Sequence, residues 1–200
     1  MNQENTHPPA GGSAKSEAAS FIWETIKIVV IALVIILPIR YYLIQPFFVK
    51  GASMESTFLD GDYIFINELA YLIGDPQRGD VAVFKYPLDK REFFIKRIVG
   101  LPGETVEIKI GKVIIYNDAN SKGIVLPESY LDANQQTIGN MRVELGEDEY
   151  FVLGDNRLRS SDSRRWGPLD RSLITGKAMV RLWPLSRVAK IRAIDYPTGN

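Results

Sequence analysis

From Ile28 to Ile39 the chain reads IVVIALVIILPI, a run without one polar side chain. A buried strand is usually only about 5 to 6 residues long, and a helix on a protein surface needs a polar face. The flanks extend the run: Phe21 to Trp23 and Tyr41 to Ile44 are also apolar, interrupted by Glu24, Lys27 and Arg40. A helix over Phe21 to Ile44 is about 36 Å long at ~1.5 Å per residue, enough to cross a ~30 Å hydrocarbon core. Glu24, Lys27 and Arg40 then fall near its ends, where the basic side chains can snorkel. Trp23, Tyr41 and Tyr42 fall at interfacial depth. The competing assignment is the apolar region of a cleavable signal peptide, but Pro38-Ile39-Arg40-Tyr41-Tyr42 follows with no small-x-small cleavage site. The expectation is an uncleaved transmembrane anchor over residues 21–44 that ties the protein to a lipid bilayer. Lys15 and Lys27 on one side balance Arg40 and Lys50 on the other, so the charge rule leaves the orientation open.

Residues 1–20 are rich in Asn, Gln, Pro, Gly, Ser and Ala, with too little apolar surface to offset the entropy of ordering them. A disordered tail is expected there. It contains His7, the single histidine, and the chain has no cysteine. Ser-His-Asp triads, Cys-His dyads, disulfides and zinc held by His or Cys are therefore excluded. Acid–base work is left to carboxylates, lysines or tyrosines. Lys plus Arg and Asp plus Glu each number 24, a balance that argues against a nucleic-acid partner.

Beyond Gln45 the pattern changes to period two. Pro46 to Val49, Asp62 to Asn67, Asp80 to Tyr86, Glu92 to Val99, Thr105 to Ile110, Lys112 to Tyr116, Glu149 to Leu153 and Lys177 to Trp183 are rich in β-branched and aromatic residues. Turn signals separate them, including Ile110-Gly111, which can close a tight hairpin. The expected fold is mainly β, an antiparallel body over residues 45–200 behind one transmembrane helix. Residues 117–140, rich in Asn, Gln, Ser and Gly, read as an excursion from the sheet core.

Three clusters could carry chemistry. Gly51-Ala52-Ser53-Met54 follows an apolar strand, and a serine after a glycine turn can present its hydroxyl beside free backbone N–H groups, as a nucleophile with an oxyanion hole requires. Glu55 replaces the second glycine of a G-x-S-x-G elbow, and a serine in a turn is usually only a turn. In Phe93 to Val99, strand alternation puts Phe94, Lys96 and Ile98 on one face and Ile95, Arg97 and Val99 on the other. Lys96 is either an edge lysine snorkelling to water or a desolvated base. To be half neutral near pH 7, its pKa must fall by ~3 to 4 units, about 4 to 5 kcal/mol. By spacing alone Lys85 and Lys50 are equal candidates. The third cluster, Gly154 to Pro168, sets four arginines (157, 159, 164, 165) against Asp155 and Asp162 and is closed by Trp166. It is a solvated charged loop or a loop locked into one geometry beside a site.

Gly51-x-Ser53-Met54-x-x-Thr57, Arg78-Gly-Asp-Val-Ala-Val-Phe84, Ile95-Lys-Arg-Ile-Val-Gly-Leu-Pro-Gly-Glu104 and Gly154-Asp-Asn-x-x-x-Ser-x-Asp-Ser-Arg-x-Trp-Gly167 occur in that order behind the apolar run. Together they resemble the bacterial type I signal peptidases, or leader peptidases, over about residues 21 to 190. The resemblance implies a membrane-anchored serine endopeptidase that removes N-terminal signal peptides from exported preproteins after small residues. It implies a Ser-Lys dyad with Ser53 as nucleophile, Lys96 as general base and Ser160 orienting that lysine. The Ser53 N–H would be one oxyanion donor, and Gly51 stands where some members place a serine side chain, so its N–H would be the second. Arg97, Asp155, Asp162 and Arg164 match residues that brace the site. Phe47, Val49, Ile64, Val83, Phe94 and Ile95, together with Met54 and Phe58, match the region of shallow substrate pockets. The peptide would bind extended along Phe47 to Ala52 and Phe94 to Lys96. The family places the β body on the non-cytoplasmic side of the cell membrane, and its chemistry calls for no metal or cofactor. Two departures stand out: Ser56 replaces the usual proline, which loosens the nucleophile loop, and Phe58 replaces leucine, which narrows or reshapes the pocket for P1, the residue before the scissile bond.

Two other functions compete. A self-cleaving Ser-Lys regulator of the repressor type shares the core chemistry but calls for a DNA-binding helix-turn-helix in place of the apolar run. A catalytically silent membrane-anchored β module would only bind exported chains, and has no use for intact Ser53 and Lys96 motifs.

Overall fold

The computed structural model describes residues 14–38, 45–132, 135–194 and 196. The chain divides into two compact units, residues 1–41 and 42–200. The first contains one helix, α1 (Ala14–Pro38). It begins inside the segment expected to be a disordered tail, because Ala14, Lys15, Glu17, Ala18 and Ala19 are strong helix formers that continue the helix outward from the apolar run. Its polar groups are muted locally: the Thr25 hydroxyl donates to the Phe21 carbonyl at 2.9 Å, and Lys27 pairs with Glu24 at 3.3 Å. Glu17–Leu37 has a mean hydropathy of 2.3, and by length and composition it can cross a membrane. Residues 1–13 of the expected tail and 39–44 of the expected anchor, with Arg40, Tyr41 and Tyr42, lie outside the described residues.

The second unit holds strands β1 (Gln45–Phe48), β2 (Tyr63–Asn67), β3 (Val81–Tyr86), β4 (Asp89–Gly100), β5 (Thr105–Lys109), β6 (Lys112–Asn117), β7 (Asn120–Val125), β8 (Met141–Glu144), β9 (Glu149–Leu153), β10 (Leu169–Asp170), β11 (Ile174–Trp183) and β12 (Ala189–Lys190). Two one-turn helices interrupt them, α2 (Leu69–Leu72) and α3 (Ser163–Trp166). The larger sheet runs β1-β2-β11-β3-β4-β9-β10, with β12 on β11, and the smaller runs β7-β6-β5-β8. The pairings are antiparallel, as the period-two sequence requires.

Strand β3 shows why the site has a rigid floor. Val81 and Val83 enter one core with Met54, Phe58 and Ile64, whereas Ala82 and Phe84 enter another with Ile98, Val152 and Leu169. Both faces are covered, so this strand is apolar throughout instead of alternating. A third core joins the two sheets, with Val106, Ile108, Val113 and Ile115 packed on Val99, Phe151 and Leu153. The Ile110-Gly111 turn closes the β5–β6 hairpin with φ of 51° and 74° and Lys109 opposite Lys112. The expected excursion at 117–140 is only partly one. Asn120–Val125 forms β7 on the edge of the smaller sheet, a strand whose polar residues hide its pairing because only one neighbour buries it. Residues 133–134 of that segment lie outside the described residues.

Candidate active site

Gly51 turns the chain out of β1 with φ of 84°, a conformation that favours glycine. The loop then winds into a single helical turn, in which the Phe58 N–H donates to the Met54 carbonyl at 2.7 Å. Positions four apart on such a turn share a face. Met54 and Phe58 accordingly plug the core beneath the loop, 1% and 0% exposed. This corrects the sequence expectation that they line the substrate pocket, and Phe58 cannot narrow the P1 pocket by facing it. Ser53, on the outer side of the turn, keeps partial access to solvent.

Lys96 comes from the middle of β4, opposite Ala82. It is 3% exposed, and its Nζ lies 2.8 Å from Ser53 Oγ and 2.8 Å from the Ile95 carbonyl, with the Phe94 ring centre at 5.2 Å. Burial is the dominant influence and brings its pKa from 10.5 down to about 8, against the opposing fields of Asp162 and Asp155. Lys85, the rival by spacing, points to solvent. Lys50 is exposed at the rim.

Charged pairs stand behind the lysine. Arg97 grips Asp155 with a two-pronged contact, Nε–Oδ1 at 2.9 Å and Nη2–Oδ2 at 2.6 Å, and its Nη1 donates to the Gly79 carbonyl at 2.8 Å. Thr57 also donates to Asp155, tying the Ser53 loop to this pair at 2.5 Å. Asp162 caps α3 and pairs with Arg164 at 2.8 Å, while its second oxygen accepts the Gly154 N–H at 3.1 Å. Burial, the largest single influence, pushes the Asp162 carboxyl up, but Arg164, Ser160 and the Gly154 N–H together hold the group below the usual carboxylate range. The Asn156 N–H donates to the Ser53 carbonyl at 3.0 Å, so the two loops are stitched at the nucleophile.

Two further expectations are corrected. The Ser160 hydroxyl is buried beside the Asp162 carboxylate, which it helps hold low, and no bond from it to Lys96 is seen among the described residues, where the Ile95 carbonyl takes that place. Ser160 is wedged so tightly that a Cβ on Gly154 would overlap both its hydroxyl and the Ser53 carbonyl, which fixes glycine at position 154. The Gly51 N–H is not free to act as an oxyanion donor, since it donates to Asp60 Oδ1 at 2.7 Å. The Ser53 N–H has no partner among the described residues. Ser56 adopts φ of 22°, closed to the proline expected there, and its hydroxyl donates to the Tyr130 carbonyl at 3.4 Å. The loop is tied at this point by another contact.

A cleft of about 520 Å³ runs from Ser53 and Lys96 between β1 and the first half of β4. Phe47, Val49, Ile64, Val83, Phe94 and Ile95 line it, together with Phe93, Arg159 and Ser161, which sequence reasoning missed. Phe93 lies on the opposite strand face from Phe94, yet its ring meets Phe47 edge-on at 5.3 Å and closes the cleft. It shares that face with Ile95, which also lines the cleft.

A serine hydroxyl on a desolvated amine, at the head of an apolar cleft, has the parts of an acyl-transfer hydrolase without histidine. Comparison with known proteins agrees with that class. A family model described as signal peptidase, peptidase S26, matches residues 22–183. A probable signal peptidase I-1 of Synechocystis sp. is 36% identical over 184 residues, 88% of this chain and 90% of the relative. Signal peptidase I of Bacillus amyloliquefaciens is 35% identical over 191 residues, 90% of this chain and 95% of its own. A solved signal peptidase I from Enterococcus faecalis V583 is 32% identical, covers 52% of this chain and 97% of its own, and has a TM-score of 0.44. The chain belongs to the signal peptidase S26 family of peptidases, which cleave signal peptides.

Proposed function

We propose that this protein is a membrane-anchored serine endopeptidase that removes signal peptides from exported preproteins with a Ser53–Lys96 dyad. The observation that carries the reading is the 2.8 Å contact between Ser53 Oγ and the buried Lys96 Nζ. Neutral Lys96 takes the Ser53 proton as Oγ attacks the carbonyl carbon of P1, with the Ser53 N–H facing the developing oxyanion. The ammonium returns that proton to the leaving amine. Water, deprotonated by the same lysine, then attacks the ester and frees Ser53. Arg97 with Asp155, and Asp162 with Arg164, hold the loops that carry the dyad. The shallow apolar lining by Phe47, Ile64, Val83 and Ile95 favours small apolar side chains at P1 and P3 over large ones. Helix α1 serves as the anchor with the β body on the non-cytoplasmic side, an orientation that the resemblance to signal peptidases supports.

The test is cleavage of a preprotein by the full-length protein in detergent micelles. Ser53→Ala loses several orders of magnitude in rate with an unchanged melting temperature. Substantial turnover by that variant would overturn the assignment, and would leave a binding-only module as no better an account.

A further inference from the structure

Residues 127–132 and 135–137 take no part in the chemistry above, yet they form the back wall of the site. Tyr130 lies between two buried arginines, with the Arg97 guanidinium 4.5 Å and that of Arg157 5.9 Å from its ring centre. Its hydroxyl accepts from Arg157 Nη2 at 2.8 Å and from the Tyr196 hydroxyl at 3.1 Å, and donates to Glu128 at 3.4 Å. Tyr196 meets the ring edge-on. Gln135 donates to Asn156 at 3.2 Å, and Thr137 and Glu128 both accept from Arg157. The segment thus converges on Arg97 and on the loop 154–157.

Arg97 needs such a wall. Its fork on Asp155 and its bond to Gly79 fix the guanidinium within its own plane, and neither resists tilting out of it. An aromatic face does. Seating matters because Asp155 and Asp162 are the two carboxylates whose fields reach Lys96, opposed by Arg97 and Arg164. Glu92 and Arg159 also border the open cleft. Tyr130 itself faces Arg97 from β4, Arg157 from the loop after β9, Glu128 from its own segment and Tyr196 from the end of the chain.

We propose that Tyr130 is a positioning residue for the reaction: its ring keeps Arg97 seated on Asp155 and so prevents Asp155 from turning its charge on Lys96. The inference rests on the Ser53–Lys96 reading. A tilted Arg97 removes a nearby cation and unmasks a carboxylate, and both changes favour the protonated amine.

The test is the pH dependence of kcat/KM, from about pH 6 to about pH 10, for the full-length protein in micelles on a signal-peptide substrate. Tyr130→Leu moves the rising limb upward by on the order of one pH unit. Tyr130→Phe keeps the ring and leaves the limb in place, whatever the lost Arg157 bond does to the melting temperature. Arg97→Lys keeps the charge without the flat fork and moves the limb in the same direction as Tyr130→Leu. An unmoved limb in folded Tyr130→Leu overturns the proposal, and if that variant does not fold, an unmoved limb in Arg97→Lys does so. A limb that Tyr130→Phe moves as far as Tyr130→Leu assigns the effect to the hydroxyl and also overturns it. Failure of the dyad reading looks different: the wild type has no limb near pH 8, or Lys96→Ala is active.

Discussion

At the residue scale, Lys96 is both the base of the proposed dyad and a buried amine that costs stability. With a pKa of about 8, only about a tenth of the amine is neutral at pH 7, so kcat/KM rises roughly tenfold from neutral pH to a plateau above pH 9. A pH-rate profile of the wild type checks this, and a limb near pH 10 would mark Lys96 as an ordinary exposed lysine. The same depression acts on folding. Between the folded value of about 8 and the unfolded 10.5 the unfolded chain binds the extra proton, so stability rises with pH through that window. Below it the penalty is complete, about 3 kcal/mol. Lys96→Met keeps the packing and sheds the charge. It should melt higher than the wild type at neutral pH, with a gap that closes toward pH 10. A gap that stays constant would place the gain in packing instead. Lys96→Arg cannot lose its proton near neutrality and should be inactive at every accessible pH.

At the scale of single elements, the one-turn helix α3 depends on Asp162, which serves its N-terminus, Arg164 and the Gly154 N–H together. Asp162→Ala strands a buried cation and is expected to cost about 3 to 5 kcal/mol. Ser160→Ala removes a hydroxyl whose one neighbour, Asp162, keeps Arg164 and the Gly154 N–H, and should cost no more than about 1 kcal/mol. The reverse order in thermal melts would show that Ser160 carries the loop. The β5–β6 hairpin offers a gain: Ile110 is 86% exposed and held at φ of 51°, where a β-branched residue is strained. Ile110→Gly should stabilise by about 1 kcal/mol, raising Tm by roughly 2 to 4 °C. The period-two pattern made most of these elements readable in advance, and strand alternation put Lys96 beside Phe94 correctly. It could not show β7, whose polar edge lacks a second neighbour, nor that Met54 and Phe58 face inward, because the loop after β1 turns helically where the sequence offers no helical stretch. Nor could it assign partners to Ser160 or the Gly51 N–H, since those depend on where Ile95 and Asp60 come to rest in three dimensions.

For the whole molecule, the β unit contains three hydrophobic cores built from its own residues, none of them from α1. Removal of residues 1–41 should therefore leave a folded body that cleaves a short soluble peptide at near the full-length rate. Its activity on a preprotein held in vesicles should fall by about a hundredfold or more, because the anchor supplies effective concentration at the bilayer. Equal losses on both substrates would mean that the helix shapes the site instead.

The contacts around Lys96 also have a temporal consequence. Ser53 meets Lys96 across 43 residues of chain, Arg97 meets Asp155 across 58, and Tyr130 meets Tyr196 across 66. Closing such long loops comes late in folding. A growing chain that has delivered Ser53 and Lys96 but not yet the loops that pack over them lacks the burial that desolvates the amine, and its lysine stays protonated. On the proposed mechanism, activity therefore waits until Asp155, Asp162 and Tyr196 have joined the fold, and a partly made copy is inert.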